Sequence, residues 1–208
     1  MKFRLLFLVP LLSLPASPLA AQGGGSGSLL RDYLRSLPAQ PLSPQERQHV
    51  TVMREEEKFA RDVYLALAAR WALPEFQHIA SAEQAHMDLV KFLLDRYQIA
   101  DPVPGERPGV FTDPRFVQLY PAAVAFGSIS PLHAHLVGAV IEDLDIADLD
   151  TVWQNLQRGS RNHLRTFFDQ LLRQSVVYPG LFITSARLVE IVLSPYENQP
   201  VDEHGVPL

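Results

Sequence analysis

Four long segments of the chain carry apolar residues at the spacing of an α-helix, and this pattern constrains the fold more than any other feature. The segments span residues 44–71, 75–97, 131–145 and 148–173. At the start of the first segment, Ser43 caps the helix, Pro44 occupies its first turn and Glu46 stands in the capping-box position. Asp148 is the predicted cap of the fourth segment. No stretch alternates apolar and polar residues convincingly as a strand does, so the sequence predicts an all-α fold.

The connections between these segments favour a four-helix bundle. The second and third segments are separated by a stretch rich in proline and glycine and by a shorter helix that Asp113 and Pro114 open, whereas the other connections are modest. One long crossover between the second and third helices is characteristic of ferritin-like topology. The sequence therefore predicts a ferritin-like bundle over residues 44–174 and a C-terminal extension over residues 175–208, with one short helix near residues 186–193.

The N-terminal region divides into an export signal and a linker. Residues 1–21 begin with basic residues, continue with an apolar run to Leu14 and end in small residues, with cleavage expected after Ala21 or Ala20. The apolar run is shorter than a membrane span. We therefore expect an exported protein, periplasmic or secreted, without a membrane anchor after cleavage. Residues 22–43 are interpreted as a flexible linker (residues 22–28) followed by a short amphipathic helix.

The composition excludes several classes of site. The chain has no cysteine, which excludes disulfides, iron–sulfur clusters, thiolate zinc sites and cysteine nucleophiles. A net charge of -5 over 208 residues gives no basic footprint for nucleic acid. The chain also lacks a glycine-rich nucleotide-binding loop and a Gly-x-Ser-x-Gly elbow. The chemistry that remains is that of carboxylates and histidines.

Glu83 and His86 lie three residues apart within the buried stripe of the second segment, so a helix projects both from the same side. A carboxylate buried without a partner costs several kcal/mol or takes up a proton. A metal ion would compensate it, and so would a simple Glu–His hydrogen bond; the pair alone leaves both readings open. Glu75 and His78 have the same spacing, but Glu75 follows a proline at a helix start and is interpreted as structural.

The other long helices each carry candidate ligands. On the first helix, Glu56 and Glu57 flank the apolar stripe, and the helical period slightly prefers Glu56. On the fourth helix, His163 falls within the stripe, as a packed core histidine would. On the third, Glu142 and Asp145 share one side, which suits either a site or a solvated face. Carboxylate and imidazole ligands suit iron or manganese. The remaining histidines are interpreted as surface or packing residues: His49, His78, His133, His135 and His204.

Two motifs resemble those of the ferritin-like superfamily, and of rubrerythrins and bacterioferritins within it. Residues 57–64 are similar to the first-helix motif Glu-x-x-Ala-x-x-x-Tyr, and residues 83–86 are similar to the second-helix ligand pair Glu-x-x-His. The resemblance implies that Glu57, rather than Glu56, binds metal. It also implies that Tyr64 lies beside the site as a hydrogen-bond donor or radical trap.

The same resemblance extends to the third and fourth helices. The ligand set that it implies, for a di-iron or a manganese centre, is Glu57, Glu83, His86, Glu142, Asp145 and His163. One position departs from the pattern, because Ser160 stands where the fourth-helix motif Glu-x-x-His has its glutamate. Asp145 would then substitute for the lost bridging carboxylate, and the set could hold two metals, one, or none tightly.

Four segments in order resemble an uncharacterised bacterial and archaeal family of ferritin-like domains, often exported. They are residues 54–58, 79–87, 141–149 and 159–164. Three functions follow as alternatives: a di-metal oxidoreductase that oxidises iron or handles peroxide or oxygen, a metal-binding protein without turnover, and a purely structural bundle. Without the cysteine-built module of rubrerythrins, the electrons would come from an external donor or from substrate iron. The C-terminal extension is a candidate contact for a homo-dimer.

Overall fold

Seven helices make up the part of the chain that the computed structural model describes, which is residues 25–148 and 154–199 without residues 104 and 106. They are α1 (Gly25–Ser36), α2 (Pro44–Trp71), α3 (Pro74–Arg96), α4 (Pro114–Gly127), α5 (Pro131–Asp148), α6 (Gln154–Arg173) and α7 (Ser185–Leu193). No strand occurs within these residues, so the predicted all-α class is confirmed. The predicted export signal, residues 1–21, lies outside the described residues.

Helices α2, α3, α5 and α6 form the bundle. Helix α2 packs along α3, and α5 packs along α6, while α2 also contacts α5 and α3 contacts α6. Only Ala72 and Leu73 connect α2 to α3, and so short a connection between packed helices makes them antiparallel neighbours. The long connection from α3 to α5 contains α4, which packs on both α2 and α5. The predicted long connection between the second and third bundle helices is therefore present.

Helix boundaries agree with the local signals, with two exceptions. Ser43 and Glu46 form the predicted capping box at the start of α2, with hydrogen bonds of 3.2 and 2.7 Å. Helix α5, however, continues to Asp148, beyond the predicted end at Asp145, and buries Ile146. The predicted capping of the next helix by Asp148 involves residues 149–153, which lie outside the described residues. Helix α1 begins at Gly25, inside the predicted flexible linker. Its packing on α3, with Leu30 buried there, outweighs the low helix propensity of glycine.

Two apolar clusters fill the bundle, and the helices carry polar residues between them. On α2, Met53 belongs to one cluster and Ala60 to the other, with Glu57 between them. On α6, Leu156 and Leu164 belong to different clusters in the same way. The buried acids and histidines therefore lie where the two clusters meet, shielded from water on both sides.

Several buried charges on α2 hold the crossover rather than a ligand. Asp62 accepts a 2.9 Å hydrogen bond from the backbone N–H of Gly109 and pairs with Lys58, whose Nζ donates to a crossover carbonyl at 2.7 Å. Glu55 accepts from the backbone N–H of Asp113 at 2.7 Å, at the start of α4. These acids are held by the crossover backbone, whereas Glu57 faces His86 inside the bundle.

The C-terminal extension packs on α5 and α6 through two acids. Buried Asp143 accepts hydrogen bonds from the hydroxyl of Tyr178 at 2.7 Å and from the backbone N–H of Ile183 at 2.8 Å. Glu197 accepts from Arg161 Nε at 2.8 Å and from Arg165 Nη2 at 3.0 Å. Helix α7 matches the short helix predicted there. Among the described residues, no helix combines the length and the apolar character that crossing a membrane requires.

Candidate metal centre

Five of the six predicted ligands come together as two groups of three among the described residues. The first group is Glu57, Glu83 and His86, and the second is Glu83, Glu142 and His163. Within each group, one ligand atom from each residue lies within 4.8 Å of the others. Because Glu83 belongs to both groups, the two clusters form one continuous centre at the middle of the bundle.

All four bundle helices contribute to this centre. Helix α2 supplies Glu57, α3 supplies Glu83 and His86, α5 supplies Glu142, and α6 supplies His163. Glu83 and Glu142 are the most deeply buried, at 1% and 0% exposure, whereas the His86 side chain retains 15%. The spacing of Glu83 and His86 places both on the inner face of α3, as the sequence predicts.

Glu83 lies between the two histidines. Its Oε2 is 2.7 Å from Nδ1 of His86, and its Oε1 is 2.8 Å from Nδ1 of His163. Each histidine nitrogen also faces a second carboxylate: His86 Nδ1 is 3.1 Å from Glu57 Oε2, and His163 Nδ1 is 3.4 Å from Glu142 Oε2. The arrangement is two imidazoles, each between a carboxylate of its own and the shared carboxylate of Glu83.

Three atoms of the second group are buried and have no hydrogen-bond partner. They are Oε1 of Glu83, Oε2 of Glu142 and Nδ1 of His163. Although His163 Nδ1 lies close to Glu83 Oε1, the two atoms do not have hydrogen-bond geometry. Buried polar atoms are rarely left unsatisfied, because the lost solvation costs about 1–3 kcal/mol each. Mutually facing carboxylate and imidazole lone pairs of this kind fit a divalent cation such as iron or manganese.

Tyr64 holds the remaining oxygen of Glu142. Its hydroxyl donates a 2.6 Å hydrogen bond to Glu142 Oε1. The Tyr64 ring is fully buried and packs against Phe76 and Phe167, with ring centroids 5.8 and 5.5 Å away. One oxygen of Glu142 thus accepts the hydrogen bond of the tyrosine while the other faces His163.

Burial and the charges of neighbouring histidines and carboxylates shift the pKa values of the candidate ligands in opposite directions. Burial raises the pKa of Glu57 to about 8, and His86 only partly offsets this rise. Burial would also raise the pKa of Glu83, but the charges of His163 and His86 outweigh it and hold that pKa below its usual range. Burial would lower the pKa of His163, yet Glu83 and Glu142 raise it to about 10. Without a cation, the centre therefore retains protons that a metal ion would displace.

Two predicted positions lie outside the ligand groups. Asp145 is buried, and burial together with nearby carboxylates, Glu56 first among them, raises its pKa well above its usual value. It belongs to neither group, although Glu142, Glu57 and Glu83 are also among the carboxylates that raise its pKa. Ser160 is buried with its hydroxyl 3.4 Å from the carbonyl of Leu156, so this position adds no ligand.

His135 lies outside the two ligand groups. His135, interpreted from the sequence as a surface or packing residue, is a buried packing histidine with Nε2 2.8 Å from Glu75 Oε1.

Gly159 is a residue that sequence reasoning passed over, although it lies directly against His86. Its only signal is a glycine in the interior of a long helix, where glycine is otherwise unfavourable.

Comparison with known proteins finds similarity over the whole bundle to a protein family, to one protein and to its crystal structure. A family model described as an uncharacterized protein domain (DUF2202) matches residues 46–195. The uncharacterized protein MJ0754 of Methanocaldococcus jannaschii is 45% identical over 179 residues, which are 80% of this chain and 97% of that protein. The crystal structure of hypothetical protein MJ0754 matches with a TM-score of 0.75, covering 78% of this chain and 99% of that one. The range matched by the family model includes every residue of the two ligand groups.

Proposed function

This chain belongs to the DUF2202 family of uncharacterized protein domains, and from its buried carboxylate–histidine centre we propose that it is a ferritin-like metalloprotein that binds iron or manganese. The observation that carries the proposal is the set of three buried atoms without hydrogen bonds in Glu83, Glu142 and His163. A purely structural bundle would pair such atoms with arginines or with the backbone, as Asp62 and Asp143 are paired elsewhere in this chain.

The two ligand groups support a centre for two metal ions. Glu57 and His86 would hold one ion, and Glu142 and His163 the other, with Glu83 shared between them. Three protein ligands per ion leave coordination positions for water or a small substrate, which is typical of catalytic rather than structural sites. Glu83 would be a ligand common to both ions, so the proposed set does not depend on the glutamate missing at Ser160.

Iron in such a centre supplies electrons that reduce oxygen or peroxide. The residues of the chain have three tasks around it. The carboxylates of Glu57, Glu83 and Glu142 would hold the metal ions and balance their positive charge. Tyr64 fixes the orientation of Glu142 through its hydrogen bond. The two apolar clusters keep bulk water away from the centre. Electrons for repeated turnover would come from an external donor or from iron as substrate.

Metal content and reactivity test this function together. Protein purified under iron supplementation is expected to carry more than one equivalent of transition metal, and an anaerobic iron(II) titration should saturate near two. Addition of peroxide should then produce an absorbance change that is absent in Glu83→Ala and retained in the surface variant Asp169→Ala. Less than about a tenth of an equivalent of any transition metal would rule the proposal out.

A second candidate function is metal binding without turnover. The absence of a ligand at Ser160, whose hydroxyl faces a backbone carbonyl, favours this candidate because the ligand set is smaller than in the resembled di-iron proteins. Stoichiometric metal with no peroxide-dependent oxidation would select it over the first. In either case, the signal predicted over residues 1–21 leads us to propose that the protein acts outside the cytoplasm, which secretion of a tagged full-length chain would test.

A further inference from the structure

The backbone of Gly159 on α6 forms the surface against which the His86 imidazole rests. A Cβ atom added to Gly159 would lie 2.4 Å from Cε1 and 2.6 Å from Nε2 of His86, but 3.7 Å from Nδ1. Cβ atoms do not approach other heavy atoms below 3.0 Å. Any side chain at position 159 would therefore displace either the imidazole or the helix.

The His86 ring is held along two opposite edges. Its Nδ1 atom faces Glu57 Oε2 at 3.1 Å and Glu83 Oε2 at 2.7 Å. Its Cε1–Nε2 edge packs on the backbone of α6 at Gly159. With Nε2 covered in this way, only Nδ1 is directed towards the carboxylates.

We propose that Gly159 is a positioning residue of the centre, which seats His86 so that Nδ1 is the only ring nitrogen offered to a metal ion. That the bound species is a metal ion rests on the proposed function. The position of His86 against Gly159 is a property of the metal-free protein. Glycine is among the least favourable residues in a helix interior. Its presence at position 159 of α6 is explained by the space that the imidazole requires.

Two other helical glycines show what ordinary close packing looks like in this chain. A Cβ on Gly127 would lie 2.7 Å from Leu67, and one on Gly138 would lie 2.5 Å from Phe167. Both neighbours are apolar core residues. Gly127 therefore serves as a matched control, because alanine there disturbs helix packing without touching a candidate ligand.

A double-mutant cycle in the metal-free protein tests directly whether Gly159 positions His86. Gly159→Ala should lower the free energy of unfolding much more in the wild-type background than in His86→Ala, where removal of the ring leaves room for the methyl group. Gly127→Ala should have the same effect in both backgrounds. Equal losses for Gly159→Ala in the two backgrounds would overturn the proposal.

Cobalt(II) titration, followed by absorbance, tests the consequence for metal binding. Gly159→Ala should weaken binding by at least about tenfold, whereas Gly127→Ala should stay within about twofold of wild type. Wild-type affinity in Gly159→Ala would contradict the proposal. A wild-type protein that takes up none of cobalt, iron and manganese would refute the proposed function instead, and the metal-free cycle would still decide whether Gly159 positions His86.

Two further measurements apply if Gly159→Ala fails to fold. Recovery of folding in the double variant with His86→Ala would support the proposal that Gly159 positions His86, because the two changes then compensate each other. If neither variant folds, long-range ¹H–¹⁵N spectra of zinc-loaded wild-type protein decide the question. Coordination of His86 through Nδ1 is expected, and coordination through Nε2 would overturn the proposal.

Discussion

The hydroxyl of Tyr64 on α2 donates a 2.6 Å hydrogen bond to Oε1 of Glu142 on α5, so a buried tyrosine and a candidate metal ligand are joined across the bundle. The bond orients one carboxylate oxygen and leaves the other facing His163. The tyrosine therefore connects the packing of the aromatic core to the geometry of the centre, and this connection can be tested by removing a single oxygen atom.

Tyr64→Phe is expected to lower the free energy of unfolding by about 1–3 kcal/mol, because Glu142 Oε1 loses its buried donor. Metal affinity should fall by about 10-fold or more, since an outer partner of a ligand is lost. Urea denaturation of the metal-free protein and a metal titration measure the two effects. Tyr196→Phe, at a half-exposed tyrosine, should change stability by less than about 0.5 kcal/mol. Equal losses in the two variants would contradict the role of the Tyr64 hydroxyl.

Substitution of single ligands should separate the two metal positions. Glu83→Ala is expected to remove both ions, because its carboxylate belongs to both groups. Glu57→Ala should remove one ion and leave the group of Glu142 and His163 able to bind the other. Metal analysis after gel filtration gives the stoichiometry, with Glu190→Ala as the surface control. Retention of a full metal complement in Glu83→Ala would show that the ions bind elsewhere.

Removal of metal should destabilise the folded protein. A ligand that binds only the native state at 100 times its dissociation constant adds about 2.7 kcal/mol to the free energy of unfolding. The melting temperature of iron- or manganese-loaded protein should therefore fall on treatment with EDTA and recover when the ion is restored. Glu83→Ala should show no such response. An unchanged melting temperature in wild-type protein would favour a structural bundle.

The contact between Glu197 and α6 should weaken at low pH. Burial would raise the pKa of Glu197, but hydrogen bonds from Arg161 and Arg165 outweigh it and lower that pKa. Because the folded-state pKa lies below the unfolded value, the contact stabilises the protein above the unfolded pKa. That stabilisation is lost as the pH falls through the folded pKa.

Wild-type protein should thus be more stable than Glu197→Gln at pH 7; the difference should shrink as the pH falls below the ordinary glutamate pKa and vanish only below the lowered folded-state pKa. Chemical denaturation at several pH values measures this difference. Glu190→Gln, at an exposed pair with Arg187, should show little difference at any of these pH values. A Glu197→Gln deficit that persists unchanged at pH 3 would indicate that the carboxylate charge is not what holds the extension.

Local signals were sufficient for the helices and for part of the centre. The capping box at Ser43 and the apolar period gave the bounds of α2 and the all-α class, because both depend on residues within one turn of each other. The placement of Glu83 and His86 on one inner face followed from helix geometry for the same reason. The third bundle helix was predicted to end near Asp145, but α5 continues to Asp148 because its end depends on the burial of Ile146 in the core.

What the sequence by itself determined is the direction in which each side chain leaves its helix. What only the tertiary structure decided is which side chains of neighbouring helices lie at the same level along the bundle and so meet. A helical wheel slightly preferred Glu56 to Glu57, whereas in the folded bundle Glu57 is the buried residue that faces His86. The wheel also could not bring Glu142 and His163 to Glu83 while leaving Asp145 outside both ligand groups. These relations depend on how far one helix slides along another, which long-range packing fixes and local periodicity does not.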